Sequence, residues 1–478
     1  MTATRPFPAS SDRVGASAQV EALQARLEEI DPLVRAVCTP NPAARADAAR
    51  LDEEYAAGRA RSPLHGVPVL VKDNIDTAGL PTTAGSNALA SQPPPAYDAP
   101  LVQRLRAAGC LILGKTNLSE WANFRGASST SGWSAYGGLT RNPYALNRSA
   151  GGSSSGSGAA VAAGLAELAI GTETNGSIVC PAALNGVVGI KPTVGLIPQQ
   201  GIVPISHSQD TAGPMARTVR AAATLLSVLA TNGGSGIDYA AVCVDDGLAG
   251  KRIGVPRGSA WGYSRGLDRV SEQALALLSR AGATIVDGLS LPTPSQDEQL
   301  LVPCHELKTG MAAYLATRAE GGPRTLADLI AYNRAHADTE LRHFGQELFE
   351  QSEQTKGLDD PAYVAARMSG LRTGRDGIDN LLKEHELDAL VMPAYSPAWT
   401  IDLVNGDNVL GSSSTHAALA GYPLVCVPSG LVEGLPVGLL FSGTAGSDAT
   451  LIQLAHAFET IRVATHGPFP LPEFRPWT

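Results

Sequence analysis

The sequence predicts an α/β fold: a single large domain with a mixed, mostly parallel central sheet that is covered by helices on both faces. Two observations lead to this class. Stretches with the apolar period of helices alternate with short, nearly uninterrupted apolar runs, which is the pattern of strands buried on both faces. Hydrophobic residues make up 44% and charged residues only 17% of the 478 residues, so the chain can bury a large core.

The N-terminal part of the chain contains the first alternating unit. A helix is predicted at residues 18–30, because apolar side chains recur there at helical spacing. A second helix is predicted at residues 42–57, where alanine is frequent. The apolar run at residues 66–72 is predicted to be a buried strand. A helix at residues 101–108 and a strand at residues 111–113 complete a β–α–β unit.

The second half of the chain repeats this alternation. Further strands are predicted at residues 251–255, 284–286, 387–392 and 424–427, with helices at residues 270–281, 363–371, 378–387 and 449–460. No internal repeat or low-complexity linker divides the chain, which favours one domain over two.

Within a single domain of residues 1–478, four parts are expected. They are N-terminal helices at residues 1–60, a core at residues 61–220, a helical insertion at about residues 295–386, and a C-terminal part of the sheet with a closing helix at residues 387–460.

Charge and composition exclude several classes of partner. The net charge of −9 argues against nucleic acid, and the charge-free runs are broken by Gly, Ser and Pro, which argues against a membrane span. The N-terminus lacks the apolar region of a secretory signal, and the six cysteines form no C-x-x-C pair. We therefore expect a cytoplasmic monomer or homodimer with reduced cysteines. No metal motif occurs among the nine histidines, and no cofactor is expected.

Residues 149–217 differ from the rest of the chain. Twelve of the 51 glycines fall in this segment. Its charged residues are only Glu167, Glu173, Lys191, Asp210 and Arg217. So little charge predicts burial, yet the segment contains the run GGSSSGSG at residues 151–158. Buried hydroxyls need hydrogen-bond partners, so this density of small polar residues indicates a site.

The run by itself can be compared with three known loop motifs and with a purely structural role. A phosphate-binding P-loop requires a lysine that is missing here, and a dinucleotide-binding loop requires a third glycine that is also missing. Residues 152–156 match G-x-S-x-G, which would make Ser154 an esterase-type nucleophile, but that motif should follow a strand and the preceding residues are polar and turn-like. Alternatively, the run only caps a helix at residues 155–166.

The neighbouring motifs add information that the run lacks. VPVLVKDN lies upstream and GTETNGSIVCPAA downstream, followed by GLIPQQGIVPISHSQDTAGPMARTV and, near the C-terminus, ALAGYPLVCVPSG and GLPVGLL. This ordered set resembles the amidase signature family of serine hydrolases over most of residues 61–460. Within that family the sequence is most similar to the bacterial peptide amidases.

The resemblance implies a Ser-cisSer-Lys triad. Ser177 is then the nucleophile, Ser153 the bridging serine after a cis peptide bond, and Lys72 the base. A lysine accepts a proton only when neutral, and burial among apolar residues lowers the pKa of an amine in the required direction. The low charge of residues 149–217 agrees with such a setting.

An oxyanion site is expected next to the nucleophile. Backbone N–H groups of Thr174, Asn175, Gly176 and Ser177 are the expected donors to a developing oxyanion. Many relatives carry glycine or aspartate where this chain has Asn175, and backbone donors survive that change.

The substrate pocket is predicted from neighbouring residues. Its expected lining residues are Asn123, Ser128, Ser129, Trp133, Val179 and His207. Many family members carry an arginine where this chain has Val179, which favours a neutral substrate. His207 is expected to line the pocket rather than to act as a second base.

These residues predict an amidase that hydrolyses a neutral carboxamide through an acyl-enzyme on Ser177. A small-molecule or peptide amide is the expected substrate, and the C-terminal amide of a peptide is one candidate. Two alternatives remain at this point: the A-type subunit of a glutamyl-tRNA amidotransferase, and an inactive binding homologue.

Overall fold

The centre of the structure is a mixed sheet of eleven strands, counted over residues 14–231, 237–258 and 260–478, which the computed structural model describes. The strand order is β1-β3-β2-β8-β10-β9-β14-β15-β13-β11-β12. The strands are β1 (Val37–Pro40), β2 (Pro68–Lys72), β3 (Leu111–Thr116), β4 (Trp133–Ser134), β5 (Gly138–Leu139), β6 (Arg141–Asn142), β7 (Ala145–Ser149), β8 (Leu168–Glu173), β9 (Val188–Lys191), β10 (Thr211–Ala216), β11 (Arg252–Pro256), β12 (Thr284–Leu289), β13 (Ala389–Pro393), β14 (Leu424–Val432) and β15 (Leu435–Ser442). Strands β4–β5 and β6–β7 form two small separate sheets.

Helices lie along the chain between these strands. They are α1 (Ala16–Val34), α2 (Ala44–Ala56), α3 (Asn87–Ala90), α4 (Pro100–Ala107), α5 (Ser155–Ala163), α6 (Val179–Leu184), α7 (Val219–Leu229), α8 (Arg265–Arg280), α9 (Gln296–Ala316), α10 (Leu326–Ala335), α11 (Ala337–Glu340), α12 (Glu347–Glu353), α13 (Pro361–Leu371), α14 (Gly377–Glu384), α15 (Thr415–Ala420) and α16 (Asp448–His466). None of the helices in the described ranges has the length and apolar character needed to cross a membrane.

Helices cover both faces of the sheet, as its strands illustrate. In β2, Val69 and Val71 pack into one apolar cluster with α7, α8 and α16, whereas Leu70 packs into another with α1, α2 and α5. Successive side chains of a strand point to opposite faces, so a strand without polar alternation must be buried on both. The predicted α/β class, with one large mixed sheet between helices, is confirmed.

The pairing directions differ from the prediction of a mostly parallel sheet. Four of the ten neighbouring strand pairs in the described sheet are parallel and six are antiparallel. One cause is the β14–β15 hairpin, whose two-residue turn has φ values of 49° at Glu433 and 80° at Gly434. Such a turn joins adjacent strands and forces them to run antiparallel. Strand β15 was not predicted.

The predicted helices and strands are found near their expected positions, with shifted ends. Helix α1 does not stop before Pro32 but continues to Val34, because a proline in the last turn removes only one hydrogen bond. The carboxylate of Asp31 then accepts hydrogen bonds from the N–H groups of Ala36 and Val37 beyond the helix. The strand expected at residues 111–113 extends to Thr116.

Three strand ends meet at one edge of the sheet. Strands β2 and β8 are parallel neighbours that end at Lys72 and Glu173, and β10 begins antiparallel to β8 with Thr211 opposite Glu173. In open α/β sheets, ligands bind beyond the carboxyl ends of the strands. This edge is therefore where a site is expected, and it carries the Ser/Gly-rich segment.

Candidate active site

Lys72 ends strand β2 with its side chain fully buried. Its Nζ atom lies 2.8 Å from Ser153 Oγ, 3.0 Å from Ser154 Oγ, 2.8 Å from Thr172 Oγ1 and 3.2 Å from the carbonyl oxygen of Thr172. Since β2 and β8 are parallel neighbours, the end of one strand places Lys72 beside Thr172 of the other. No carboxylate of the described residues forms an ion pair with this amine.

The surroundings of Lys72 favour its neutral form. Burial lowers the pKa of Lys72 well below its usual value, and the negative charges of Glu173 and Asp210 oppose this shift. A neutral amine has two N–H donors and one lone pair, so it can donate to Thr172 while accepting from a serine hydroxyl. The geometry thus suits a proton acceptor.

Ser153 is fully buried and follows a cis peptide bond between Gly152 and Ser153, as the resemblance implies. A side chain at position 152 would displace its neighbours, because its Cβ would lie 2.2 Å from Ser119 Oγ and 3.0 Å from Ser131 Oγ. Glycine at 152 therefore reflects the close approach of two neighbouring segments to this loop.

Ser177 lies in the turn of residues 174–177 that joins β8 to α6, and it keeps 8% of its surface exposed. The Ser154 N–H donates to the Ser177 carbonyl at 3.0 Å, which ties the turn to the GGSSSGSG loop. Gly176 has φ +82°, and a Cβ at this position would lie 1.8 Å from the Tyr395 hydroxyl. Only glycine fits there.

The backbone of this turn leaves donors free. Among the described residues, nothing accepts a hydrogen bond from the N–H groups of residues 174–177. The next two N–H groups, of Ile178 and Val179, both donate to Glu173 Oε2, at 2.7 and 3.0 Å. Free N–H groups beside a partly exposed serine are able to bind an anionic oxygen.

Ser154 lies in a different setting from Ser177. Its side chain is fully buried, and its Oγ is within hydrogen-bond distance of Lys72 Nζ and of both backbone groups of Thr172. The strand that precedes it, β7, belongs to a two-stranded hairpin outside the central sheet. A strand and a helix do flank Ser154, since α5 begins at Ser155, but β7 is not part of the central sheet and the Ser154 side chain is buried rather than exposed. The G-x-S-x-G interpretation is therefore not supported.

The loop of residues 123–133 lies against the GGSSSGSG loop through Ser131. Trp133 is buried and packs edge-on against His343 and Phe344, with ring centroids 5.1 and 5.3 Å apart. Asn123 Oδ1 accepts a hydrogen bond from Ser129 Oγ at 2.8 Å.

Within this loop Ser128 is exposed to solvent, whereas Ser129 is half-buried. The loop is thus close to the site, but Trp133 serves as a packing residue at its base.

The two other expected pocket residues, Val179 and His207, differ in their exposure to solvent. Val179 is fully buried in the apolar core that also contains α5 and α6. The side chain of His207 is 56% exposed and has Nδ1 3.4 Å from Glu306 Oε2. His207 lies on the surface beside helix α9, and within the described chain its ring bonds to none of Lys72, Ser153 and Ser177.

Other residues of the site were not found from the sequence. Thr172 contacts Lys72, and Asp210 accepts from Thr174 Oγ1 at 2.5 Å. Tyr395 and Ser414 lie against Gly176 from the C-terminal part of the chain. Thr172 and Asp210 stand inside the quoted motifs, whereas nothing in the sequence around residues 395 and 414 indicates a site.

The donor atoms around Lys72 are not those of a typical metal site. The described residues include no group of three or more His, Cys, Asp or Glu side chains arranged to hold a metal ion. The atoms that surround the lysine are serine, threonine and carbonyl oxygens. The groups that this site offers for chemistry are an amine, hydroxyls and free backbone N–H groups.

Comparisons with known proteins find similar proteins over most of this chain. A model of the Amidase family matches residues 18–452. The structure is similar to that of native peptide amidase from Stenotrophomonas maltophilia, with a TM-score of 0.91 and 48% sequence identity over 97% of this chain and 96% of that chain. A probable amidase of Arabidopsis thaliana is 39% identical over 94% of this chain and 87% of its own. The A-type subunit of the glutamyl-tRNA(Gln) amidotransferase of Symbiobacterium thermophilum is 37% identical over 92% of each chain.

Proposed function

The chain belongs to the amidase family and is an amide-hydrolysing enzyme, and we propose that it cleaves a neutral carboxamide through an acyl-enzyme on Ser177. The observation that carries this proposal is the contact of 2.8 Å between the buried Lys72 amine and Ser153 Oγ, beside a turn with free N–H groups. Lys72, Ser153 and Ser177 form the proposed triad. The presence of all three residues argues against the inactive-homologue alternative.

In the proposed reaction Ser177 Oγ attacks the carbonyl carbon of the amide. The proton of Ser177 passes to Ser153 Oγ, whose own proton passes to neutral Lys72 Nζ. Collapse of the tetrahedral intermediate breaks the C–N bond, and the same relay in reverse delivers a proton to the departing ammonia or amine. Water then attacks the ester by the same route and releases the carboxylate and free Ser177.

The tetrahedral oxygen carries negative charge that needs donors. We assign this role to the N–H groups of residues 174–177, which have no partner among the described residues. Preorganised donors of this kind typically contribute about 10²–10³ in rate each. They cost no reorganisation during the reaction, because no internal hydrogen bond has to break first.

The proposed substrate class is a neutral amide, with the C-terminal amide of a peptide as the leading candidate. Support comes from the similarity to peptide amidase. The expected products of an amidated peptide are ammonia and the free peptide acid. A panel of amidated peptides, aryl amides and aliphatic amides, with ammonia release as the readout, tests the class. Faster cleavage of aryl or aliphatic amides than of amidated peptides would contradict the peptide assignment.

A second candidate function rests on the similarity to the A-type subunit of glutamyl-tRNA(Gln) amidotransferase. Such a role predicts ammonia release only when the other subunits of that complex are supplied. The stand-alone amidase proposal predicts instead that the isolated chain releases ammonia without other subunits. If it does so only with partner subunits, the stand-alone amidase proposal fails.

The nucleophile is tested by labelling with a fluorophosphonate probe. We expect Ser177→Ala to abolish labelling and Ser154→Ala to retain it, since Ser154 is a fully buried neighbour in the same network. Loss of labelling in Ser154→Ala, with labelling kept in Ser177→Ala, would assign the nucleophile to Ser154 instead.

A further inference from the structure

The turn of residues 174–177 is held at its start by side chains rather than by backbone. At Thr174 and Asn175 neither the N–H nor the C=O group bonds to any described residue. Backbone contacts begin further on, where the carbonyls of Gly176 and Ser177 accept from Cys180 and Ser154 at 2.7 and 3.0 Å. The position of the first two residues therefore depends on their side chains.

Thr174 is fixed from the β10 side. Its Oγ1 donates to Asp210 Oδ1 at 2.5 Å. The register of β8 against β10 explains the contact, because Glu173 pairs with Thr211 and the next residues outward are Thr174 and Asp210. The other oxygen of the Asp210 carboxylate accepts from the N–H groups of Ile205 and Ser206, at 2.9 and 3.0 Å.

Asp210 is in turn fixed by a network that reaches the helices of residues 296–371. Ser206 Oγ donates to Glu306 Oε2 in α9 at 2.5 Å, and the Tyr363 hydroxyl in α13 donates to Glu306 Oε1 at 2.7 Å. The loop that carries Asp210 is thus hydrogen-bonded to helices beyond the sheet, and Asp210 links this network to Thr174.

Asn175 is fixed from the opposite side. Its Oδ1 accepts from Ser414 Oγ at 2.7 Å, and its Nδ2 donates to Thr415 Oγ1 at 3.4 Å. Ser414 Oγ also lies 3.2 Å from the hydroxyl of Tyr395, the group that faces Gly176. Ser414 precedes helix α15, so the C-terminal part of the chain holds this half of the turn.

We propose that Asp210 and Ser414 are positioning residues for amide hydrolysis, Asp210 through Thr174 and Ser414 through Asn175. Together they hold the turn so that its free N–H groups point to one place, where the tetrahedral oxygen forms. Catalytic donors must be held within about 0.5 Å of their productive positions to be effective. The proposal rests on the oxyanion role of this turn in the proposed function.

The effect of a positioning residue appears in the transition state more than in substrate binding. An interaction made only in the transition state lowers kcat and kcat/KM equally when it is lost, and leaves KM unchanged. A merely structural role would instead lower thermal stability, or raise KM by deforming the whole pocket. The split between kcat and KM thus separates the two roles.

The experiment compares Thr174→Val, which removes the donor to Asp210 with little change in shape, with Thr174→Ser, which keeps it. We expect kcat of Thr174→Val on an amidated peptide to fall about 10- to 100-fold with KM within about twofold, a fraction of the loss seen for one oxyanion donor. Thr174→Ser should recover kcat to within about threefold. Inhibition by a peptide aldehyde, which forms a tetrahedral adduct, should weaken by a factor similar to the loss in kcat.

The matched control is Thr211→Val. Thr211 is fully buried next to Asp210, and its hydroxyl donates to the Ala212 carbonyl rather than to the turn. We expect its kcat to match the parent enzyme. Ser414→Ala gives an independent test from the other side of the turn if Thr174→Val does not fold, and its kcat should fall with the same unchanged KM.

Two results would overturn the proposal. One is a kcat within twofold of the parent in both Thr174→Val and Ser414→Ala, and the other is a loss in kcat that Thr174→Ser does not recover. Failure of the proposed function itself looks different, since Ser177→Ala would then keep its activity. The two failures are therefore distinguishable in one set of variants.

Discussion

The Nζ atom of Lys72 lies 2.8 Å from Ser153 Oγ, and both side chains are fully buried. A charged lysine is rare in such a place, because burial of an ammonium group without a paired carboxylate is costly. Serine and threonine oxygens can solvate a neutral amine there, while Glu173 and Asp210 act at longer range. Lys72 is buried at least cost in its neutral form, and the neutral form is also the one that can accept a proton.

Replacement of the proposed base should separate activity from folding. We expect Lys72→Met to lower kcat by about 10²–10⁴, the usual contribution of a general base. The fold should remain intact, because an apolar side chain of similar length fills the buried site. Turnover by purified protein and circular dichroism check this. Normal turnover with an unchanged pH profile would exclude Lys72 as the base.

The acid side of the pH profile should depend on Glu173. Its negative charge favours the protonated form of Lys72 and is the largest influence opposing the burial effect on the Lys72 pKa. Activity requires neutral Lys72, so it falls as pH drops through the pKa of this amine. Glu173→Gln removes the charge and keeps an oxygen for the N–H groups of Ile178 and Val179. The acid limb of kcat against pH should therefore move to lower pH. A limb that stays in place or moves to higher pH would contradict this assignment.

Gly176 should tolerate no side chain while Tyr395 is present. A Cβ at this position would lie 1.8 Å from the Tyr395 hydroxyl. The substituted residue would also have to keep φ +82°, in the left-handed region that favours glycine. We expect Gly176→Ala to lower kcat at least about 10²-fold by displacing the free N–H groups. In the Tyr395→Phe background the closest atom is gone, so part of the loss should be recovered. Kinetics of the two single variants and the double variant measure this coupling, and purely additive losses would argue against the contact.

Lys191 provides a test on stability rather than activity. It ends β9, is fully buried and donates to the Tyr422 carbonyl at 2.7 Å, and burial lowers its pKa to about 8. Between pH about 8 and the ordinary lysine pKa of 10.5, the unfolded chain binds more protons at this lysine than the folded protein does. Stability should therefore rise with pH in this window, by up to about 1.4 kcal/mol per pH unit from this group.

The comparison is Lys191→Met, which removes the titrating group. Urea unfolding of both proteins at pH 8 and pH 10 gives the difference in free energy of unfolding. The parent should gain stability relative to Lys191→Met on going to the higher pH. An equal change in the two proteins would mean that the pKa of Lys191 is the same folded and unfolded.

Much of the fold class and part of the site follow from the order of residues alone. The apolar run that ends at Lys72 is a local pattern, and a strand without polar alternation must be buried on both faces. The density of glycine and serine with little charge around Ser153 and Ser177 marks a dry polar site in the same local way. The roles of these three residues remain predictions drawn from the resemblance.

Tertiary structure decided what depends on distant parts of the chain. Antiparallel pairs outnumber parallel ones in the sheet, against the prediction, because strands far apart in sequence pair through hairpins and crossovers. The local spacing of apolar residues does not reveal these pairings. Thr174 meets Asp210 across 36 positions and Asn175 meets Ser414 across 239. Side chains at such separations are brought together only when the whole sheet closes. The sequence by itself determined which short segments carry reactive groups, and the packed sheet edge decided which partners surround them, because burial and hydrogen bonding are properties of neighbours in space.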